Sequence, residues 1–304
     1  MPGRLVECVP NFSEGRDRTK VDAIAAAIRS VSGVALLDQS LDVDHNRCVI
    51  TFAGEPEAVA DAALRGVAEA VRLLDLTRHR GVHPRIGAAD VVPFVPLHSV
   101  TLDECVTIAR GVGEQIWTRL GVPVYFYEAA ALRKERRNLA DLRRGQFEGL
   151  REEALSSHER RPDVGEARPH PTAGVTAVGA RKFLIAYNIN LATPEVEVAR
   201  QIARKIRHSS GGFRHVRAMG VLLESRGLAQ VSMNLTDFRE IPVDCVFEAV
   251  ESEAAELGVK VASSEIVGLI PRQAFEMAPE FYRRAANFDI GLVLENRLAA
   301  LQSD

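Results

Sequence analysis

Residues 78–90 set Arg78, His79, Arg80, His83, Arg85 and Asp90 in one short stretch, so imidazoles, cations and an acid occur together. A histidine whose ordinary pKa is ~6.5 can take up and return a proton near neutral pH. A positioned imidazole beside cations is therefore a candidate for general acid–base work, and His83, followed directly by Pro84-Arg85, is the leading one. Two other readings of the stretch remain open. His79 and His83, at i and i+4, would share a helix face and could bind zinc. Gly81 and Pro84 interrupt any such helix, however, and no third ligand follows at a usual short spacing. The plainest reading is a tight turn set by proline and glycine, with histidines capping carbonyls.

Four other polar segments sit where strands are expected to end. They are Asn11-Phe12-Ser13-Glu14-Gly15, the stretch from Asp42 to Arg47, Asn188-Ile189-Asn190, and Asn234-Leu235-Thr236-Asp237. Asparagine both donates and accepts, as the edge of a heterocycle requires, yet Asn and Asp are also ordinary turn residues. Asp42, Asp44 and His45 allow a weaker cation-site reading. Residues 162–174 are stiffened by Pro162, Pro169 and Pro171 and read either as an interdomain spacer or as a loop closing on a flat ligand. Arg133, Lys134, Arg136, Arg137, Arg143 and Arg144 read as a solvated helix face, or as a guide for a polyanionic substrate.

The elements that must position these groups alternate along the chain. Residues 5–9, 34–37, 48–52, 91–95 and 122–127 are strand-like. Residues 17–32, 55–74 and 101–120 have helical spacing, the first stopping at Gly33. Gly111-x-Gly113 falls inside the third helix, where a dinucleotide-binding turn has no place. A charged stretch, 132–171, reads as an exposed helix running into a linker. The pattern then restarts with strands at 183–189, 218–224, 229–235 and 259–263 and helices at 194–207 and 243–257, the former with Thr193 as cap and Pro194 at N1. Both halves thus run strand–helix–strand–strand–helix–strand, the split βαβ order. The fold expected is α+β, with two ferredoxin-like subdomains, residues 1–172 and 173–304. Each would be an antiparallel sheet backed by helices, with a crevice between them.

Composition narrows the classes. A chain of 304 residues is long enough for two cores. Its apolar runs stop well short of the ~18 residues that a membrane span needs, and no signal-peptide pattern opens it. Cys8, Cys48, Cys105 and Cys245 are scattered without a CxxC pair, as in reduced cytoplasmic proteins. A formal net charge of −3 argues against general nucleic-acid binding and means that an anionic substrate needs a local basic pocket.

The chain resembles the formiminotransferase family (glutamate formimidoyltransferase), which in animals is fused to a cyclodeaminase. The matching stretches are LVECVPNFSEGR at 5–16, HRGVHPRIGAADVVPFVP at 79–96, GARKFLIAYNINL at 179–191, LAQVSMNLTDF at 228–238 and VGLIP at 267–271. The resemblance implies folate bound between two ferredoxin-like subdomains and transfer of a formimino group from N-formiminoglutamate to tetrahydrofolate. It places the family's catalytic histidine on His83. It places the folate-contacting loop on Gly165, Glu166, Ala167, Arg168, Pro169, His170, Pro171, Thr172, Ala173 and Gly174. Animal members carry aromatics in this loop; here there is no Phe, Tyr or Trp, so backbone and other walls would hold the pterin. With no deaminase segment before Asp304, the second family reaction is not expected.

The chemistry implied is one-carbon metabolism in histidine degradation, with tetrahydrofolate as co-substrate and no permanently bound cofactor or metal. Expected partners are tetrahydrofolate, polyglutamylated or not, and N-formiminoglutamate, without nucleic acid or membrane; a homodimer is left open. Both substrates carry carboxylates, so arginines are expected to bind them, with Arg47 and Arg85 as the candidates nearest the motifs. Formyl transfer from N-formylglutamate, and folate binding without turnover, are the alternatives.

Overall fold

A computed structural model describes residues 3–301. The chain divides into two compact units, Met1–Arg181 and Lys182–Asp304. In the first, the strands are β1 (Leu5–Cys8), β2 (Asn11–Phe12), β3 (Val34–Asp42), β4 (Arg47–Gly54), β5 (Ala89–His98), β6 (Val124–Glu128) and β7 (Thr176–Ala180). Its helices are α1 (Arg18–Arg29), α2 (Pro56–Leu73), α3 (Leu102–Leu120), α4 (Leu139–Leu142) and α5 (Gln146–Ser156). Pro10 separates β1 from β2, but both pair with β4 and β5, so they act as one interrupted strand. With β1 and β2 so joined, the antiparallel part of the sheet runs β5, β1/β2, β4, β3, which is the split βαβ order.

Local chemistry explains the helices. Asp17 caps α1 by accepting from the Thr19 amide, and Val21, Ile24, Ala25 and Ile28 form its buried stripe. Thr101 and Glu104 make a reciprocal capping box at the start of α3, and Gly121 ends that helix in the left-handed region (φ 64°). Gly113 lets α3 approach the sheet, since a Cβ there would lie 2.6 Å from the Phe126 ring. Helices α1, α2 and α3 share one core against one sheet face. Opposite, Leu142 of α4 and Leu150 and Ala154 of α5 pack with Tyr125, Tyr127, Val91 and Ala177. Covered on both faces, β5 and β7 read as apolar runs without alternation.

The first sheet departs from the expected purely antiparallel form. β7 pairs in parallel with both β5 and β6, because each follows a crossover back to the same end of the sheet. It is also why the units divide after Arg181 and not after residue 172: a break at 172 would remove β7 from between two hydrogen-bonded neighbours. The charged stretch after β6 is not one exposed helix either. Gly145 breaks it between the short α4 and α5, and Arg136 lies buried.

The second unit holds β8 (Ile185–Leu191), β9 (Val216–Leu223), β10 (Leu228–Leu235) and β11 (Val261–Val267), with α6 (Val196–Ile206), α7 (Val243–Glu256), α8 (Arg272–Met277), α9 (Pro279–Arg283) and α10 (Leu294–Leu301). Its antiparallel order, β11-β8-β10-β9, is again ferredoxin-like. Glu195, not Thr193, is the N-cap residue of α6; the Thr193 hydroxyl instead accepts from the Glu195 amide. Tyr187, Ile189 and Leu191 point into the core under α6 and α7. Asn188 and Asn190, expected at a strand end, lie within β8 on the other face. There Gln230 Nε2 donates to Asn190 Oδ1 and Glu265 Oε1, both at 2.9 Å, and Asn190 Nδ2 donates to Ser263 Oγ at 2.9 Å.

Gly220 in β9 faces α6 so closely that an added Cβ would lie 2.3 Å from the Arg200 backbone nitrogen and 2.5 Å from the Ala199 carbonyl carbon. Backbone cannot yield as a side chain can, so Gly220→Ala should destabilise the protein by about 2–3 kcal/mol, as overpacking does. Urea unfolding of the variant measures this; a midpoint equal to that of the parent would refute the packing argument.

Candidate active site

The candidate site is built by two turns in the first unit. In the turn from Asp42 to Arg47, Asp42 Oδ1 accepts from the His45 amide at 2.7 Å, and Asn46 takes a positive φ of 47°. The Asn46 side chain accepts from the Gly15 amide at 3.0 Å and donates to the Arg80 carbonyl at 2.9 Å. Gly15 has no room for a side chain, because a Cβ would meet the Asp42 carbonyl oxygen at 2.1 Å. The second turn, around His83, is laid against the first: the Val82 amide donates to the Asp44 carbonyl at 3.1 Å. Asp42 therefore closes its own turn, and Asp44 anchors the next.

His79 is a structural residue of this arrangement. Its Nε2 donates to the Asn46 carbonyl at 2.8 Å, and its Nδ1 accepts from Arg85 Nε at 3.2 Å, so neither nitrogen is left for a metal. Burial, the largest cause, lowers its pKa. Arg85, expected as a substrate-carboxylate binder, instead grips Glu148 through two hydrogen bonds of 2.7 Å and reaches Gln146 at 3.2 Å. Hydrogen bonding to Arg85 pulls the Glu148 carboxyl down to about 2. Among the described residues, no group of three His, Cys, Asp or Glu side chains is arranged to hold a metal ion.

Asp90, wholly buried at the start of β5, is the hub. Its Oδ2 accepts from Arg47 Nη1 at 2.7 Å and from Arg143 Nη2 at 2.5 Å, while its Oδ1 accepts from the Ile86 amide at 2.8 Å. Burial alone would raise its pKa, but the two guanidinium groups and that amide hold the carboxyl below its ordinary value. Arg47 is further fixed by Asn11, whose Oδ1 accepts from Arg47 Nε at 2.9 Å. Desolvation, with Arg143 close by, lowers Arg47 to about 10, so it remains a cation at neutral pH.

His83, half-buried, stands next to this group. Its Nδ1 is 2.8 Å from the Pro84 carbonyl oxygen and 3.4 Å from Arg47 Nη1. A nitrogen that close to a carbonyl oxygen must carry the proton and donate it, which makes Nε2 the basic nitrogen. The His45 ring lies 5.7 Å away, centroid to centroid. Desolvation, then Arg47, Arg143 and His45, hold the His83 pKa well below its ordinary value, so the ring is neutral at pH 7.

The loop 165–174 is anchored at both ends and exposed between them. At its start, the Val124 amide donates to the Val164 carbonyl at 3.0 Å, and Gly165, at φ 96°, lies against the Trp117 ring. At its end, the Gly174 and His170 backbones bond reciprocally, and His170 Nδ1 accepts from the Ala173 amide at 3.0 Å. The Ala88 amide donates to the Ala173 carbonyl at 2.9 Å and the Val175 amide to the Ile86 carbonyl at 3.0 Å, which ties the loop to the chain just after the His83 turn. Gly165, Glu166, Arg168 and Pro171 are exposed; Ala167, His170 and Thr172 are partly so; Pro169 and Ala173 are buried.

The structure thus gathers Asn11, His45, Arg47, His83 and Asp90 from separate motifs. It also brings in Arg143, which belongs to the basic run that reads from the sequence as a solvated helix face or as a guide for a polyanionic substrate. The signal for Arg143 was slight: Leu139 and Leu142, at helical spacing, mark α4 as a packed turn. Residues 5–181 match the formiminotransferase domain, N-terminal subdomain, and residues 186–300 match the formiminotransferase domain. The chain belongs to the formiminotransferase family. The glutamate formimidoyltransferase of Streptococcus pyogenes serotype M1 is 46% identical over 97% of this chain and 99% of its own. That of Thermoplasma acidophilum is 45% identical over 97% of each. The formimidoyltransferase-cyclodeaminase of Sus scrofa is 44% identical over 93% of this chain and 53% of its own length. A microcompartment protein structure from Desulfitobacterium hafniense aligns at a TM-score of 0.24 with 11% identity, too little to inform fold or activity. No described helix of this formiminotransferase-family chain is long and apolar enough to cross a membrane.

The start of the loop hangs on one buried ion pair. Arg136 Nη1 meets Asp163 Oδ1 at 2.6 Å, each side chain 2% exposed, and Asp163 Oδ2 accepts from the Phe126 amide at 2.8 Å. Arg136 also donates to the carbonyls of Glu159 and Arg161. Arg136→Met would strand a buried carboxylate and should cost about 3–5 kcal/mol. Urea unfolding reads the loss, and amide exchange should show residues 163–174 opening first; unchanged stability would exclude the pair as the anchor.

Proposed function

We propose that this chain moves the formimino group of N-formimino-L-glutamate to N5 of tetrahydrofolate, releasing L-glutamate and 5-formiminotetrahydrofolate, with His83 carrying the protons. The observation that supports this reading best is His83 itself: a neutral imidazole with Nδ1 fixed on the Pro84 carbonyl and Nε2 left as the base, in a formiminotransferase-family chain. N5 attacks the amidine carbon, and the new N5–C bond leaves a proton on N5 that His83 Nε2 removes. The C–N bond to glutamate then breaks as the imidazolium returns that proton to the departing nitrogen. One proton is taken and one returned, so the ring ends neutral. Tetrahydrofolate is a co-substrate, consumed in each turnover. The reaction class belongs to the breakdown of histidine.

The loop 165–174 is our candidate for the folate contact. It is exposed in its middle and tied at its end to the His83 turn, and Arg168 gives it a cation. Exposed Lys134, Arg137 and Arg144 add attraction for the extra carboxylates of a polyglutamylated folate. Holding two substrates in contact supplies acceleration beyond proton transfer.

His83→Ala should lower kcat about 10²–10⁴-fold with folate Kd nearly unchanged. Steady-state kinetics beside folate titration checks this, and near-parental kcat would remove His83 from the proton path. In the parent, base catalysis needs the neutral ring. Because the free-enzyme pKa is depressed, kcat/KM should hold as pH falls through 6.5 and decline only well below it. An acidic limb at or above 6.5 would contradict the arrangement. N-formylglutamate assayed in parallel should be the poorer donor.

A further inference from the structure

Two arginines on one carboxylate leave an excess positive charge. Arg47, from β4, and Arg143, just after α4, both bond to Asp90 Oδ2, and their side chains are only 11% and 12% exposed. Arg143 Nε is buried with no hydrogen-bond acceptor. Removing a cation from water without an equal counter-charge is costly, so this arrangement favours any anion that completes it. A guanidinium pair offers forked N–H donors, which suit a carboxylate better than an ammonium would.

The position of the excess charge selects which carboxylate fits. Arg47 Nη1 is 3.4 Å from His83 Nδ1. In the donor, the nitrogen that must receive the proton is bonded to the same carbon as the α-carboxylate. The γ-carboxylate lies two methylenes further on, and the carboxylates of folate lie beyond its aminobenzoyl group. We propose that Arg143 joins Arg47 in binding the α-carboxylate of the glutamyl donor, forming a two-guanidinium site beside His83. This rests on the reading given under Proposed function and names residues for a contact which that reading leaves unassigned.

The same site couples donor binding to proton uptake. The groups around the His83 ring are Arg47 from β4, Arg143 after α4, Asp90 from β5, His45 from the turn before β4, and the Pro84 carbonyl of its own turn. The two cations disfavour imidazolium. A bound carboxylate offsets them, so the ring becomes a better base once the donor is in place, and by reciprocity the protonated ring holds the carboxylate more tightly.

The test compares the full-length parent with Arg143→Met, Arg143→Lys and, as a surface control, Arg119→Met near the end of α3, where the side chain is exposed. L-glutamate is the inhibitor, and L-glutamine, which keeps only the α-carboxylate, is a second one. Arg143→Met should raise the donor KM and both inhibition constants tenfold or more, with the KM for tetrahydrofolate changed less than twofold. Arg143→Lys should recover part of the loss, and Arg119→Met should match the parent. In the parent, saturating L-glutamate should move the His83 titration upward by NMR; in Arg143→Met the free ring should already titrate higher and respond less. Unchanged L-glutamate inhibition in a folded Arg143→Met protein would overturn the clamp, as would loss confined to L-glutamate and absent for L-glutamine. A parent that binds L-glutamate through Arg143 but transfers nothing to tetrahydrofolate would refute the transferase reading and retain the anion site.

Discussion

A buried carboxylate, Asp90, reaches two guanidinium groups through one oxygen and the Ile86 amide through the other. Through Arg47 it fixes the start of β4 and the Asn11 side chain of β2; through Arg143 it draws in the segment after α4; through Ile86 it sets the exit of the His83 turn. A carboxylate in such surroundings stays ionised only because its partners outweigh desolvation. Each of the three segments therefore depends on the others being in place. Burial, and after it the same cations, hold the His83 pKa down, so the interaction that organises the site also contributes to its basicity.

Close backbone approach is the second constraint. Gly15, Gly81, Gly87 and Gly174 each lie where a Cβ would fall within 2.1–2.3 Å, or in the case of Gly87 1.9 Å, of a carbonyl oxygen. These contacts join the loop before α1, the two site turns and the end of the 165–174 loop into one layer of stacked backbone. At these four positions a side chain has no room, and neighbouring backbone groups pair directly, as in the Ser13 amide donating to the Ala88 carbonyl at 2.9 Å and the Val175 amide to the Ile86 carbonyl at 3.0 Å.

Much of this was legible in the sequence. Periodicity and caps located nearly all the central strands and helices, and the repeated element order implied two ferredoxin-like units. The motifs single out His83 and Arg47, and the structure sets Arg47 on Asp90 with its Nη1 3.4 Å from His83 Nδ1. What escaped has physical reasons. β7 carries Thr-Ala-Val-Gly-Ala, too short and small to read as a strand, yet it is a central one because both its faces are covered. The pairing of Arg85 with Glu148 has no local signature, because Glu148 lies 63 positions away. Arg143 was hidden in a basic run in which neighbours such as Arg144 are indeed at the surface. Spacing reports which face of an element is apolar, but not which distant charge a long side chain will reach.

The placement of β7 between β5 and β6 has a consequence for how the protein is made. During synthesis β6 emerges first and has no neighbour in its sheet until β7 arrives, with residues 129–175 in between. The first half of the chain cannot close when its ferredoxin-like core is complete; it must wait for residue 180 to leave the ribosome. Until then β6 has no strand partner and β5 keeps an open edge, both able to pair wrongly, and both gaps are filled at once when the strand following the 165–174 loop slides between them.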